Sequence, residues 1–221
     1  MLLLALDTAT PAVTVALHDG DRVLASSDQF DARRHGELLL PAVDRTLAEA
    51  GCALGAVTGI VVGVGPGPYT GLRVGLATAT SFGAALEIPV HGLCTLDGIA
   101  YAAGLDEPFL VATDARRKEV YWARYADART RTSDPAVDRP ADIAERVAGV
   151  PAVGAGAVLY ADTFTGVRTD LPEHQSAAAL AALAAEKLAA ADEEGFLPPL
   201  PLYLRRPDAQ VPANYKVVTP K

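Results

Sequence analysis

Residues 59–83 read GIVVGVGPGPYTGLRVGLATATSFG, and they predict a strand, a tight loop and a helix in succession. The strand covers residues 60–62, because an unbroken run of apolar β-branched residues is typical of a fully buried strand. The loop covers residues 65–68, where the glycines permit positive φ and the prolines fix φ. The helix begins near Tyr69 or Thr70.

One face of the predicted helix consists only of very small residues. Gly71, Gly75, Ala79 and Gly83 recur at every fourth position, which places them on one side of the helix. Each interior glycine costs roughly 1 kcal/mol relative to alanine, so the pattern requires a compensating contact. We therefore expect another backbone to approach this face closely, either from the same chain or from a partner subunit.

Length, charge and cysteine content limit the class of protein. The 221 residues suffice for one large domain or two small lobes. The formal net charge of -8 argues against a broad basic surface for nucleic acid. The apolar run at residues 2–6 is too short for a secretory signal, and no apolar run approaches the length of a membrane span. With only two cysteines, Cys52 and Cys94, we expect a reduced cytoplasmic protein.

The order of elements predicts an α/β fold with two lobes, residues 1–104 and 105–221. In the first lobe, a three-stranded meander is followed by alternating helices and strands, which suits a ribonuclease-H-like lobe of the actin-like ATPases. A Rossmann fold would begin with a βαβ unit instead, and Pro68 occupies the place of the third glycine in its fingerprint. We expect further strands at 2–6, 13–17, 23–26 and 89–91, and helices at 35–50 and 96–103. Pro41 lies within the first of these helices, so the helix either begins after this proline or is kinked at it.

The second lobe is predicted to be reduced. Its expected elements are strands at 109–113 and 119–125, an exposed irregular loop at 127–142, a short helix at 143–148, a strand running into a turn at 152–157, an Ala-rich helix at 177–191 capped by Ser176, and an extended Pro-rich tail at 197–221.

Five segments in this order give the chain a specific resemblance. They are LALDTAT at 4–10, RHGELLLPAVDRTLAEAG at 34–51, VGVGPGPYTGLRVG at 62–75, TDARRKEVYWARY at 113–125 and PLYLRRPDA at 201–209. Together they resemble the TsaB/YeaZ family, the bacterial dimerisation subunit of the complex that makes threonylcarbamoyladenosine in tRNA. The resemblance implies two actin-like (ASKHA) lobes and a non-catalytic subunit that activates a TsaD-like transferase, with a TsaE-like ATPase in the complex.

The resemblance also implies how such a subunit assembles. It would form a homodimer when alone, would contact tRNA only through the complex, and would have no membrane partner. ATP or ADP would bind, if at all, at the complex interface, with no cofactor of its own. The expected interface for the dimer or for TsaD consists of His35, Leu39, Val43, Leu47, Tyr69, Gly71, Leu72, Gly75, Ala79 and Gly83. In this interpretation the small-residue face is the contact line between subunits.

The catalytic motif of the TsaD paralogue is missing from the sequence. That paralogue carries His-x-x-x-His, whose spacing places two imidazoles on one helix face for a metal ion. The corresponding positions here are Thr95 and Ile99, so we expect no metal site of that kind and no catalytic residue. Asp7 and Thr8 remain at the first turn, where they either satisfy the turn backbone or orient a metal-bound water as in ASKHA ATPases. An ASKHA-type ATPase or phosphotransferase is therefore the alternative function.

A basic turn joins the first two strands of the second lobe. Arg116 and Arg117, followed by Lys118, are candidates for contact with a nucleotide or tRNA, or they form an ordinary solvated hairpin turn. The preceding segment lacks glycine and contains Asp114, which would repel phosphate. A third hypothesis is a tRNA-binding module that uses Arg116, Arg117 and the pair Arg205 and Arg206.

Overall fold

The computed structural model of the protein describes residues 1–192 and 194–205. Of the predicted extended tail, 197–221, only residues 197–205 are described, and Arg206 lies outside the described residues. No helix in this part of the chain has the length and apolar character that crossing a membrane requires.

The first lobe is built on a five-stranded sheet. In chain order its elements are β1 (Leu3–Asp7), β2 (Ala12–His18), β3 (Val23–Phe30), α1 (His35–Glu49), β4 (Gly59–Gly63), α2 (Tyr69–Leu86), β5 (Val90–Leu93) and α3 (Thr95–Ala103). The strand order is β3-β2-β1-β4-β5, with β2 antiparallel and β4 parallel to β1. This is the order and direction of a ribonuclease-H-like sheet, as predicted. Helix α1 begins at His35 and includes Pro41, so it does not start after the proline.

The second lobe repeats the β-β-parallel β order around its first strand, but three of its five strands have only two or three residues. Its elements are β6 (Phe109–Asp114), β7 (Val120–Asp127), β8 (Thr130–Arg131), β9 (Ala136–Asp138), α4 (Pro140–Ile143), β10 (Ala152–Val153), α5 (Ala155–Leu159) and α6 (Ala177–Ala189). Strand β7 is antiparallel and β10 parallel to β6, and both β8 and β9 pair with β7. The prediction of two actin-like lobes with a reduced second lobe is therefore confirmed.

Two predicted elements of the second lobe are wrong in detail. The segment 127–142 is not an irregular loop, because β8, β9 and α4 lie within it. Strand β9 is fixed in place partly by Trp122, whose indole N–H donates to Asp138 at 2.9 Å. After β10 the chain enters helix α5 instead of a turn, and Gly154 makes the change of direction with a φ of 101°.

The two lobes exchange the helices that cover their sheets. Helix α6 was predicted in the second lobe, but its buried residues, including Leu180 and Ala184, pack against Leu3, Ala5 and Val61 of the first sheet. Conversely, α3 follows the first sheet, and its core residues pack with β6 and β7 of the second. The two cores that face each other between the sheets therefore contain side chains from both halves of the sequence, and α3 and α6 pack against each other there.

Candidate functional site

The small-residue face of α2 packs inside its own lobe. Gly71, Gly75, Ala79 and Gly83 are all buried. A Cβ added at Gly71 would lie 2.5 Å from the Thr8 carbonyl oxygen, and one added at Gly83 would collide with Val90. The expected contact line between subunits is therefore corrected for these four residues, because the atoms that approach them belong to the same chain.

A side-chain hydroxyl enters the helix at this face. Thr8 Oγ1 donates to the Gly71 carbonyl at 2.7 Å and accepts from the Gly75 N–H at 3.0 Å. These two backbone groups would otherwise be each other's i→i−4 partners, so the hydroxyl is inserted into the hydrogen-bond ladder of α2. A Cβ at Gly75 would lie 2.6 Å from this oxygen. The glycines therefore make room for the first turn of the chain.

The other residues of the expected interface divide into buried and accessible groups. Leu39, Val43, Leu47 and Leu72 belong to the buried core and cannot meet a partner from these positions. His35 is half-buried, with Nε2 2.8 Å from the Thr10 carbonyl oxygen. Tyr69 is 54% exposed. The solvent side of α2 is formed by Arg73, Ala77, Thr80, Ser81, Ala84 and Ala85.

Asp7 is enclosed at the end of β1. Its side chain is 1% exposed; Oδ1 accepts from the Ala9 N–H at 2.7 Å and Oδ2 accepts from the Thr95 hydroxyl at 2.8 Å. Gly63 packs so closely against Oδ2 that no side chain fits at that position. Burial raises the pKa of Asp7 to about 6, although both hydrogen bonds act in the opposite direction. Both carboxylate oxygens are thus engaged in holding the turn.

Thr95 and Ile99, which align with the metal-binding histidines of the paralogue, have structural contacts. Thr95 links Asp7 to the loop after β4, because its hydroxyl also accepts from the Gly65 N–H at 3.2 Å. Ile99 is fully buried in the second core. Nowhere in residues 1–192 and 194–205 do three His, Cys, Asp or Glu side chains lie together as ligands of one metal ion would.

A cavity of about 300 Å³ opens beside this enclosed turn, between the two lobes. Its lining includes Thr8, Thr10, Arg33, Thr70 and Arg116. Helices α1 and α2 both begin at this cavity, and neither has a side chain that caps its first turn. The positive dipole ends of these helices, together with the two arginines, make the cavity favourable for an anion.

The basic turn at this cavity has an unusual backbone. Arg116, Arg117 and Lys118 have φ values of 61°, 56° and 62°, a left-handed conformation that side chains rarely adopt. Arg116 bonds to Asp114 through its N–H at 2.8 Å and its guanidinium at 3.2 Å, so this carboxylate neutralises part of its charge. The turn is thus an exposed hairpin turn between β6 and β7 with a left-handed backbone, which no sequence signal such as glycine or asparagine marks.

Sequence reasoning missed the structural roles of Thr95 and of Arg205, which it considered only as a candidate for contact with tRNA. Arg205 donates to the Ala115 carbonyl at 3.1 Å and pairs with Glu119, so it holds the base of the basic turn. Only the position of Thr95 at the start of a predicted helix indicated a polar contact. Cys94 is buried, and burial raises the pKa of its thiol, so this cysteine is a poor nucleophile.

The fold and this site define a class of protein. The chain has the two-lobed actin-like fold, and the family of tRNA N6-adenosine threonylcarbamoyltransferase, TsaD, matches residues 29–213. The chain belongs to this family. YeaZ from Pseudomonas aeruginosa has a solved structure that superposes with a TM-score of 0.77 and 32% identity, over 92% of this chain and 99% of that one. Within the family the chain therefore belongs to the TsaB/YeaZ group.

Two curated relatives are also similar to this chain, and one of them is named TsaB. An uncharacterized protein of Mycobacterium tuberculosis, strain H37Rv, is 45% identical over 94% of this chain and 93% of its own length. The tRNA threonylcarbamoyladenosine biosynthesis protein TsaB of Escherichia coli is 37% identical over 57% of this chain and 55% of its own length. The expected resemblance to the TsaB/YeaZ family is confirmed.

Proposed function

We propose that this chain is a non-catalytic subunit of the complex that makes threonylcarbamoyladenosine in tRNA, and that it acts in the cytoplasm. In this proposal a TsaD-like partner transfers the threonylcarbamoyl group to the adenosine beside the anticodon of ANN-decoding tRNAs, and a TsaE-like ATPase assists. The enclosure of Asp7 is the observation that supports the non-catalytic role. A carboxylate with both oxygens hydrogen-bonded and almost no exposure has no free position for orienting a nucleophilic water.

Reconstitution of the reaction tests this role. The purified chain is combined with a TsaD-like protein, a TsaE-like ATPase, the threonylcarbamoyl donor and an ANN-decoding tRNA, and the modified nucleoside is quantified. We expect product only when the TsaD-like protein is present, and more of it when this chain is added. Asp7→Asn should support the reaction as well as wild type. ATP hydrolysis by the isolated chain that disappears in Asp7→Asn would favour the alternative, an ASKHA-type ATPase.

Dimerisation is proposed to use the solvent side of α2 instead of its small-residue face. The side chains there are short, as Ala77, Ser81 and Ala84 illustrate, so a second helix can approach closely. Ala77→Arg should abolish both the homodimer seen by light scattering and the capture of a TsaD-like partner. Ala189→Arg is the matched control, because Ala189 is also an exposed alanine on a helix but lies on α6. Equal dimer mass for both variants would contradict this surface.

ATP or ADP at the complex interface is proposed to occupy the cavity between Thr70 and Arg116. The support for this site is its anion-favouring set of helix N-termini and arginines. Calorimetric titration of ADP should show binding to the complex with the TsaD-like partner, weakened in Arg116→Gln and unchanged in Arg168→Gln. Unchanged affinity in Arg116→Gln would place the nucleotide elsewhere.

A further inference from the structure

Residues 197–205 cross from the first lobe to the second. At their start, Leu197 exchanges two backbone hydrogen bonds of 2.9 Å with Gly92 of β5, so the segment pairs with the edge of the first sheet. Further along, the Leu202 N–H donates to the Val64 carbonyl at 2.8 Å. At their end, Arg205 binds Ala115 and Glu119 of the second lobe.

The segment fits closely along this path. A Cβ added at Gly92 would lie 2.7 Å from the Leu197 carbonyl oxygen and 2.8 Å from that of Pro198, so only glycine leaves room for it. The Leu202 side chain packs against the buried cores of both lobes. Tyr203 stacks on Tyr69 with ring centroids 5.2 Å apart. Backbone pairing, apolar burial and aromatic contact therefore all act within nine residues.

The hydrogen bonds of residues 197–205 to the second lobe all come from one side chain, that of Arg205. The side chains of Arg205 and Glu119 are 26% and 29% exposed, so solvent screens their attraction only in part. The lobes are also linked by Arg129, which binds Glu186 of α6 at 2.8 Å, but these side chains are 57% and 43% exposed. Exposed ion pairs contribute little, so among these polar links the Arg205 attachment carries more than Arg129 does, and it adds to the packing of α3 against α6.

We propose that residues 197–205 form an interlobe strap that fixes the two lobes in one relative orientation. Two-lobed proteins that close on a ligand do so by hinge rotation at a few backbone positions. Here such a rotation would separate Ala115 and Glu119 from the first sheet and would break the contacts that residues 197–205 make with one lobe or the other. Release of Arg205 from the second lobe would free this end of the strap and widen the range of relative orientations that the packing of α3 against α6 allows.

Distance measurement between spin labels tests the strap. Labels are attached at Ala48→Cys on α1 and Ala148→Cys in the second lobe, in a Cys52→Ser background, because Ala48 and Ala148 are exposed and Cys94 is buried. The labelled protein is diluted with unlabelled chain, so that only distances within one chain are measured. The intact chain should give one narrow distance distribution. Arg205→Gln should broaden it, and Leu202→Ala should do so through the apolar contact alone. Arg168→Gln, which breaks an exposed ion pair with Asp170 within one lobe, is the control and should change nothing.

Hydrogen exchange gives an independent readout of the same variants. The amides of Leu197 and Leu202 should exchange about 10- to 100-fold faster in Arg205→Gln, the range expected when a hydrogen bond to a charged group is lost. Amides of β1 and β4 should keep their wild-type rates. A distribution in the intact chain as broad as in Arg205→Gln would overturn the proposal. So would unchanged distances and exchange in both variants, or acceleration spread evenly over the whole chain.

Discussion

The insertion of the Thr8 hydroxyl into α2 leads to a prediction about paired substitutions. In Gly75→Ala, the new Cβ would lie 2.6 Å from Thr8 Oγ1, which two hydrogen bonds hold in place. Overpacking of this kind costs about 1–3 kcal/mol. The gain in helix propensity is about 1 kcal/mol or less, so the variant should be less stable than wild type.

Removal of the hydroxyl should reverse the effect. In Thr8→Ala the Gly75 N–H and the Gly71 carbonyl can pair directly, so the loss should be only about 1 kcal/mol. The closest remaining Thr8 atoms are 3.7 Å from the added Cβ, an ordinary contact. Gly75→Ala should then stabilise the Thr8→Ala protein, and the coupling energy between the two changes should equal the overpacking cost, about 1–3 kcal/mol.

Urea unfolding of the four proteins measures this coupling. Circular dichroism follows the helices, and the fluorescence of Trp122, the one tryptophan, checks that the transitions of the two lobes coincide. Gly36→Ala is the matched control, because it lies in α1 with no atom within 4 Å of its added Cβ, and it should not destabilise the protein. Effects of Thr8→Ala and Gly75→Ala that add to within about 0.5 kcal/mol would refute the inserted hydroxyl.

Two further predictions concern the first turn and α6. Burial raises the pKa of Asp7 to about 6 from an ordinary 3.8, so the native state holds this proton more tightly than the unfolded chain. Its contribution to stability is therefore present below about pH 4 and is lost as pH rises through 6. Relative to Asp7→Asn, wild type should lose about 2 kcal/mol of unfolding free energy between pH 4 and pH 6, and urea titrations that show a gain would disprove this. Ser176→Ala should lower stability by about 1 kcal/mol, because the Ser176 hydroxyl accepts from the Ala178 N–H at the start of α6; an unchanged melting curve would rule out this cap.

Local sequence patterns predicted the elements but not their neighbours. The apolar runs of β1, β2 and β4 and the Ser176 cap of α6 follow from residue type and spacing alone. The periodicity of Gly71, Gly75, Ala79 and Gly83 predicted a smooth helix face, but a period does not identify what packs there. The residue that packs there, Thr8, is 67 residues from Gly75 in sequence.

The candidate site was predictable in its residues and not in its geometry. Asp7, Thr8 and Arg116 were recognised from the sequence, yet whether Asp7 faces solvent depends on Thr95 and Gly63, which come from distant elements. Strands β8 and β9 have two and three residues, too few for an alternating pattern to be recognised. The left-handed turn at Arg116 is imposed by its surroundings, because no residue in it favours positive φ.

The exchange of covering helices has a consequence for how the chain folds during synthesis. The first sheet is complete when Leu93 has left the ribosome, but α6, which buries Leu3, Ala5 and Val61, begins only at Ala177. Until then one apolar side of that sheet lacks its helix. We expect the nascent chain to depend on a chaperone or on delayed collapse through this interval, and a protein split after α3 to regain its fold only when both fragments are present.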